Sequence, residues 1–133
     1  MYSSIQEKMI KCRSVSLNKR QVGKEKEELA ALFLRKNGCQ IYEKNYRCKI
    51  GEIDLIASDG EYLVFVEVKY RKDSRNGYPQ EAVTLKKQRT VTKVALWYMM
   101  KNGWSNTLPS RFDVIAICGN EIFWHKNAFP FRK

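Results

Sequence analysis

Residues 51–72 read GEIDLIASDGEYLVFVEVKYRK, and the fold turns on how this stretch pairs with itself. Two apolar-rich runs flank Asp59-Gly60, the dipeptide that two-residue hairpin turns of type I′ favour because both central positions need positive φ. With Asp59 and Gly60 as the central turn residues, Ser58 faces Glu61, Ile56 faces Leu63, Asp54 faces Phe65 and Glu52 faces Glu67. Opposed residues of an antiparallel pair project from the same side, and side chains alternate. One face therefore collects Ile56, Leu63 and Phe65 near the turn, then Glu52, Asp54, Glu67 and Lys69 toward the open end. The other face carries Ile53, Leu55, Ala57, Tyr62, Val64, Val66 and Val68.

This register makes Asp54 and Glu67 diagonal neighbours, roughly 7–8 Å apart at the backbone. Charges on a strand entering a core are expensive unless they are paired, solvated or bound to metal. Two converging carboxylates suit Mg²⁺, or Mn²⁺ in its place, a hard cation that takes oxygen ligands and retains several waters. Lys69, on the same side, adds a positive charge that can orient a hydroxide or offset charge building on a phosphorane. A solvated face with a weak surface ion pair is the plainer reading. The strand LVFVEVKY argues against it: nearly all apolar, it reads as a central buried strand whose two charges need a reason.

Working outward, KEKEELAALFLRKN at 24–37 predicts a first helix with acidic residues in its first turn and Gly38 ending it. CQIYEKNYRCK follows as a strand that ends before Gly51. After the hairpin, KDSRNGYPQ, with Gly77 and Pro79, predicts a mobile loop. A second helix is expected from about Gln80 to Lys101, with Leu85, Gln88, Thr92, Ala95 and Met99 on one stripe and Lys86, Arg89 and Lys93 on another. Asn102-Gly103 ends it, and the strands RFDVIAIC and EIFWHK are parted by Gly119-Asn120. The order of one helix, three strands, one helix and two strands specifies an α/β sheet with helices packed on it.

The chain has 133 residues, enough for one domain and its core, at 44% hydrophobic. Its 25 Lys and Arg against 14 Asp and Glu leave a net charge of +11, which attracts polyanions: nucleic acid first, an anionic membrane second. Cys12, Cys39, Cys48 and Cys118 form no C-x-x-C pair and His125 is the lone histidine, so a zinc site is disfavoured and reduced thiols in a cytoplasmic protein are expected. No apolar run is long enough to span a membrane. Residues 1–20 hold Lys8, Lys11, Arg13, Lys19 and Arg20 against Glu7, without the apolar core of a secretory signal. They are expected to form a flexible basic arm ahead of a single domain over residues 21–133.

The segments GKEKEELA from Gly23, GEIDLIA from Gly51, FVEVKYR from Phe65, EAVTLKKQ from Glu81 and RFDVIAI from Arg111 together resemble the bacterial YraN-like proteins. These are similar in turn to the PD-(D/E)XK nuclease superfamily and to archaeal Holliday junction resolvases. The resemblance runs from about Lys19 to Phe129. It implies a restriction-endonuclease-like mixed five-stranded sheet flanked by helices, and a Mg²⁺- or Mn²⁺-dependent endonuclease that hydrolyses phosphodiester bonds in DNA. Branched and single-stranded DNA are the candidate forms, and DNA is favoured over RNA. It assigns Asp54 and Glu67 to the metal, Lys69 to the attacking water, Glu27 to assistance from helix one and Gln88 to the neighbourhood of the site. Lys26 stands where YraN-like chains repeat a glycine, which puts the start of helix one in doubt.

Arg71, Lys72, Arg75, Lys86, Arg89 and Lys93 are candidate phosphate contacts, and Tyr70 and Tyr78 could stack on an unpaired base. A non-catalytic module gripping structured nucleic acid is the alternative function. A protein scaffold is a third reading; it requires an exposed apolar patch, for which Trp97, Trp104 and Phe129 to Phe131 are candidates. A homodimer would match two-fold junctions, on analogy alone.

Overall fold

The structure, a computed structural model, describes residues 19–71, 83–104 and 107–132. The basic arm up to residue 18 with Cys12, the segment 72–82 with Lys72, Arg75 and Tyr78, and the expected helix start at Gln80 lie outside the described residues.

Helix α1 spans Lys19–Lys36, so Lys19 and Arg20 belong to its first turn. It begins five residues before the stretch read as helix, and no acidic residue occupies that turn. Glu27 accordingly sits about two turns in, where it faces the sheet instead of complementing the helix dipole. Leu29, Ala30, Ala31 and Leu34 are buried. Gly38, at φ 91, closes the helix as expected. The Gly38 N–H donates to the Arg35 carbonyl at 3.1 Å and the Cys39 N–H to that of Leu34 at 3.0 Å, the double bond of a Schellman cap.

Strands β1 (Gln40–Arg47), β2 (Glu52–Asp59), β3 (Tyr62–Arg71), β4 (Ser110–Cys118) and β5 (Glu121–Phe129) form one sheet in that order. Neighbours are antiparallel except β3 and β4, which run parallel across the connection through helix α2 (Leu85–Lys101). β3 is central, which accounts for its apolar run from Leu63 to Val66. Each Val, Leu or Phe fully buried there contributes roughly 1.5–3 kcal/mol. Leu55, Val64, Val66, Ile115 and Ile117 pack beneath α1, while Ile56, Leu63, Phe65, Phe112 and Val114 pack beneath Val91, Val94, Ala95 and Tyr98 of α2. This five-stranded mixed sheet with flanking helices has the restriction-endonuclease-like arrangement.

Two details of the hairpin differ from the sequence reading. Ser58 pairs with Leu63 and Asp59 with Tyr62, so the turn residues are Gly60 and Glu61 rather than Asp59 and Gly60. Gly60 has φ 62 and Glu61 is not left-handed, the pattern of a type II′ turn with glycine first. Asp59 is drawn into the ladder because Arg111 Nη2 and Lys126 Nζ bind its carboxylate at 2.6 and 3.2 Å. The pairing slides by two residues, placing Ile56 opposite Phe65, so the paired side chains from Leu55 to Asp59 keep their faces. Ile53 is the second difference: it joins the α2 cluster, away from Leu55. The ladder from β2 to β3 stops at Leu55 and Val66, and β2 turns over as it leaves.

Thr84 caps α2, its hydroxyl accepting the Lys87 N–H at 3.1 Å. Leu85, expected on the inward stripe, is half exposed; within the helix burial begins at Val91. Gly103, at φ 70, ends the helix as expected. Among the described residues, no helix is long and apolar enough to cross a membrane.

Candidate active site

The point where β2 parts from β3 is where the acids gather. Asp54 lies one residue beyond the last paired position, and its Oδ2 accepts the Val68 N–H at 2.8 Å, replacing a main-chain partner. Glu67, next to Val68 on the central strand, is only 3% exposed. Glu27 reaches the same region from α1. Glu27 Oε1 and Glu67 Oε1 are buried with no hydrogen-bond partner.

The electrostatics of the three acids are linked. Burial, reinforced by Asp54 and then Glu52, pushes the Glu27 carboxyl up to about 7. Burial, reinforced by Asp54, pushes Glu67 up to about 8, against the pull of Lys87 and Lys69. Burial raises Asp54 too, with the Val68 N–H, Lys87 and Lys69 opposing. Buried carboxylate oxygens without partners are costly, and several in one place call for a proton or a cation. The set therefore fits a hard divalent ion in donor chemistry and in its two unpartnered oxygens. Among the described residues, no three acidic, cysteine or histidine side chains already form a metal-holding group, so the acids line a gap without closing a cage.

Glu27 and Asp54 also open on a cavity of about 540 Å³ lined by Lys24, Lys44, Arg47 and Glu52. This is within the size range of small-molecule sites. Two of its cations are paired on the exposed rim, Lys44 with Glu28 at 3.1 Å and Arg47 with Glu52 at 3.0 Å.

The other expected site residues divide. Lys69 is half-buried beside the acids and acts electrostatically on Asp54 and Glu67. Gln88 is not hydrogen-bonded to any of them. Its Nε2 donates to the Val83 carbonyl at 3.0 Å and its Oε1 accepts from Arg132 Nε at 2.9 Å, tying the C-terminal segment to the start of α2. Arg71 is half-buried at the end of β3; Lys86, Arg89 and Lys93 are exposed on α2. Tyr70 lies under the Lys26 ammonium at 4.3 Å. Lys26, where glycine was expected, is thus buried within a continuous helix.

Lys87 is the residue that sequence reasoning missed. Its Nζ stands 3.9 Å from Glu67 Oε2, yet it falls on neither stripe of the predicted helix. The adjacent Thr84 cap was the one available signal, because a helix starting at Leu85 turns Lys87 toward the end of β3. Asp113 was missed as well: fully buried, it accepts from Arg111 Nε at 2.9 Å, Trp124 Nε1 at 2.8 Å and the Asn127 N–H at 2.9 Å. Of the residues offered for an apolar patch, Trp97 and Trp104 are exposed. Phe129 is buried against Phe112 and Phe131 packs on the same ring.

Residues 26–117 match the uncharacterised protein family UPF0102. A UPF0102 protein of Lachnoclostridium phytofermentans is 47% identical over 113 residues, 85% of this chain and 96% of that protein. One of Caldicellulosiruptor saccharolyticus is 43% identical over 119 residues, covering 85% of this chain and 100% of the relative. One of Legionella pneumophila is 44% identical over 109 residues, at 80% and 92% coverage.

Proposed function

The chain belongs to the uncharacterised protein family UPF0102, the YraN-like proteins, and from that premise we propose that it is a metal-dependent endonuclease of the PD-(D/E)XK type acting on DNA. One observation carries this reading: two buried, unpartnered carboxylate oxygens, on Glu27 and Glu67, flank Asp54 at a strand parting in a chain of net charge +11. Buried acids in a basic protein serve poorly for solubility or stability alone, but they suit a site where a cation and a polyanion meet.

In this reading Asp54 and Glu67 hold Mg²⁺ or Mn²⁺, with Glu27 assisting from α1. The ion, when bound, supplies Lewis-acid polarisation of the phosphodiester. Lys69 orients the attacking water and offsets developing negative charge. Arg71, Lys86, Arg89 and Lys93 bind phosphates without reading sequence, since backbone contacts position the duplex and base contacts specify it. Gln88 acts at one remove, holding the start of α2 through Val83 and Arg132. Branched or single-stranded DNA is the favoured substrate, and a dimer would match a two-fold junction.

The test is incubation with fluorescent single-stranded, duplex and four-way-junction DNA in Mg²⁺, Mn²⁺ or EDTA, alongside Asp54→Ala and Lys69→Ala. Metal-dependent cleavage lost in both variants is expected. The second reading, a binding module without turnover, draws on the acids not being gathered into a metal-holding group. It requires salt-sensitive binding with no product in any metal. Failure to bind at ~50 mM salt, where phosphate contacts are strongest, defeats both.

A further inference from the structure

We propose that Lys87 is a substrate-phosphate contact of this site, an ammonium brought by α2 to work beside Lys69 of β3; the inference rests on the nuclease reading above. Three features of its placement support the assignment. First, Lys87 lies in the first turn of α2, where Thr84 anchors its backbone N–H at 3.1 Å. Second, Nζ stands 3.9 Å from Glu67 Oε2, within Coulombic range but beyond the roughly 2.7–3.2 Å of an N–H···O hydrogen bond. Its donors are therefore not committed to that carboxylate. Third, its side chain is 35% exposed while that of Glu67 is 4% exposed, so the ammonium occupies the mouth of the site, between buried acid and water.

Lys87 also outranks Lys69 in its influence on both Asp54 and Glu67. For Asp54 and Glu67 the stronger cationic neighbour is thus the helix lysine, not the strand lysine that the motif singles out. A divalent cation on the acids repels an ammonium a few ångströms away. A flexible lysine stem lets it turn outward, where a phosphodiester drawn to the acids presents it with an anion. Lys86, Arg89 and Lys93 share the helix, but all three are exposed and none pairs with the acids. Lys87 should therefore be linked to metal binding in a way that they are not.

The experiment is fluorescence anisotropy of labelled single-stranded and four-way-junction oligonucleotides, titrated across salt concentrations in Ca²⁺ and separately in EDTA. It compares the wild-type chain with Lys87→Gln, Lys87→Arg and Lys86→Gln, with thermal unfolding run on each. In Ca²⁺, Lys87→Gln is expected to weaken binding about tenfold and to lower the slope of log K against log salt by about one, as loss of one phosphate contact does. In EDTA the same variant should lose less than about twofold, because Lys87 then faces Glu67. Lys87→Arg should recover most of the loss, and Lys86→Gln should show no difference between Ca²⁺ and EDTA. An unchanged slope, or an equal loss in Ca²⁺ and EDTA, overturns the role of Lys87 while leaving the nuclease reading intact. A wild-type chain that binds no DNA in either condition overturns both.

Discussion

The carboxylate of Asp54 accepts the backbone N–H of Val68 at 2.8 Å across the gap where β2 leaves β3. This bond takes the place of a ladder rung and holds the acid at the mouth of the parting. It gives Asp54 two roles that substitution can separate. Asp54→Asn keeps an acceptor for Val68, whereas Asp54→Ala leaves a part-buried N–H unpaired, at about 1–3 kcal/mol. Urea unfolding should rank Asn above Ala, while calorimetric titration with Mn²⁺ should find both variants deficient. Equal stability of the two variants would mean that the Val68 bond contributes nothing.

The raised carboxyls set a pH dependence of known sign. Glu67 rises from 4.5 to about 8 in the folded chain and Glu27 from 4.5 to about 7. Between those limits the folded state binds more protons than the unfolded one, so stability falls as pH rises. The contribution is fully present below about 4.5 and is lost by about 8. Melting temperatures in EDTA should decline across this window, and Glu67→Gln should flatten the decline. Mg²⁺ or Mn²⁺ should restore most at the alkaline end, where the acids are ionised and the cation meets no competing proton. A melting temperature that rises steadily from pH 5 to 8 in EDTA would contradict this assignment.

What could be read in advance was governed by local chemistry. The glycine stops at Gly38 and Gly103 and the turn at Gly119-Asn120 depend on neighbours within a few residues, and all stand as expected. The turn at Asp59-Gly60 failed because partners distant in sequence, Arg111 on β4 and Lys126 on β5, bind Asp59. A slide of two residues preserves the alternation within the paired positions. Beyond the ladder β2 turns over, so Glu52 and Asp54 line the cavity beside α1 while Glu67 meets Lys87 of α2, and the four charges do not share the single face expected of them. Glu27 came from family resemblance alone. Its placement follows from where α1 begins, and the true start at Lys19 was hidden by the acidic run Glu25 to Glu28, which imitates a first turn. The partners of Lys87 and Gln88, Glu67 and Arg132, were illegible for a common reason: tertiary docking of α2 and the C-terminal segment brings them together.

Gly51, just ahead of β2, is required by close packing. A Cβ there would lie 2.8 Å from Thr90 Cγ2 and 3.5 Å from Val94 Cγ2. Gly51→Ala should cost about 1–3 kcal/mol, the usual range for overpacking. Thr90→Ser removes the offending methyl, so the double variant should recover most of the loss in a thermal-unfolding cycle. Strict additivity of the two substitutions would argue that the contact is not the cause.

The buried ion network behind the hairpin makes the last prediction. Arg111 is shared by Asp113, at 2.9 Å from Nε, and Asp59, at 2.6 Å from Nη2, with Asp113 fully buried. Removing the arginine leaves that buried carboxylate to Trp124 Nε1 and the Asn127 N–H, neither of which carries charge. Arg111→Met should therefore destabilise the fold by about 3–5 kcal/mol, the range for breaking one side of a buried pair. Asp59 offers a milder probe of the same network. Its carboxyl is held below the usual carboxylate range, first by the Arg111 hydrogen bond and further by Lys126. Its stabilisation is present above the unfolded value near 4 and is lost as pH falls through the lower folded value. Asp59→Asn should thus lower stability at neutral pH and shrink the drop on acidification, while leaving metal binding at the acids unaltered. A variant that unfolds with the wild-type acid profile would show that Arg111 acts through Asp113 alone.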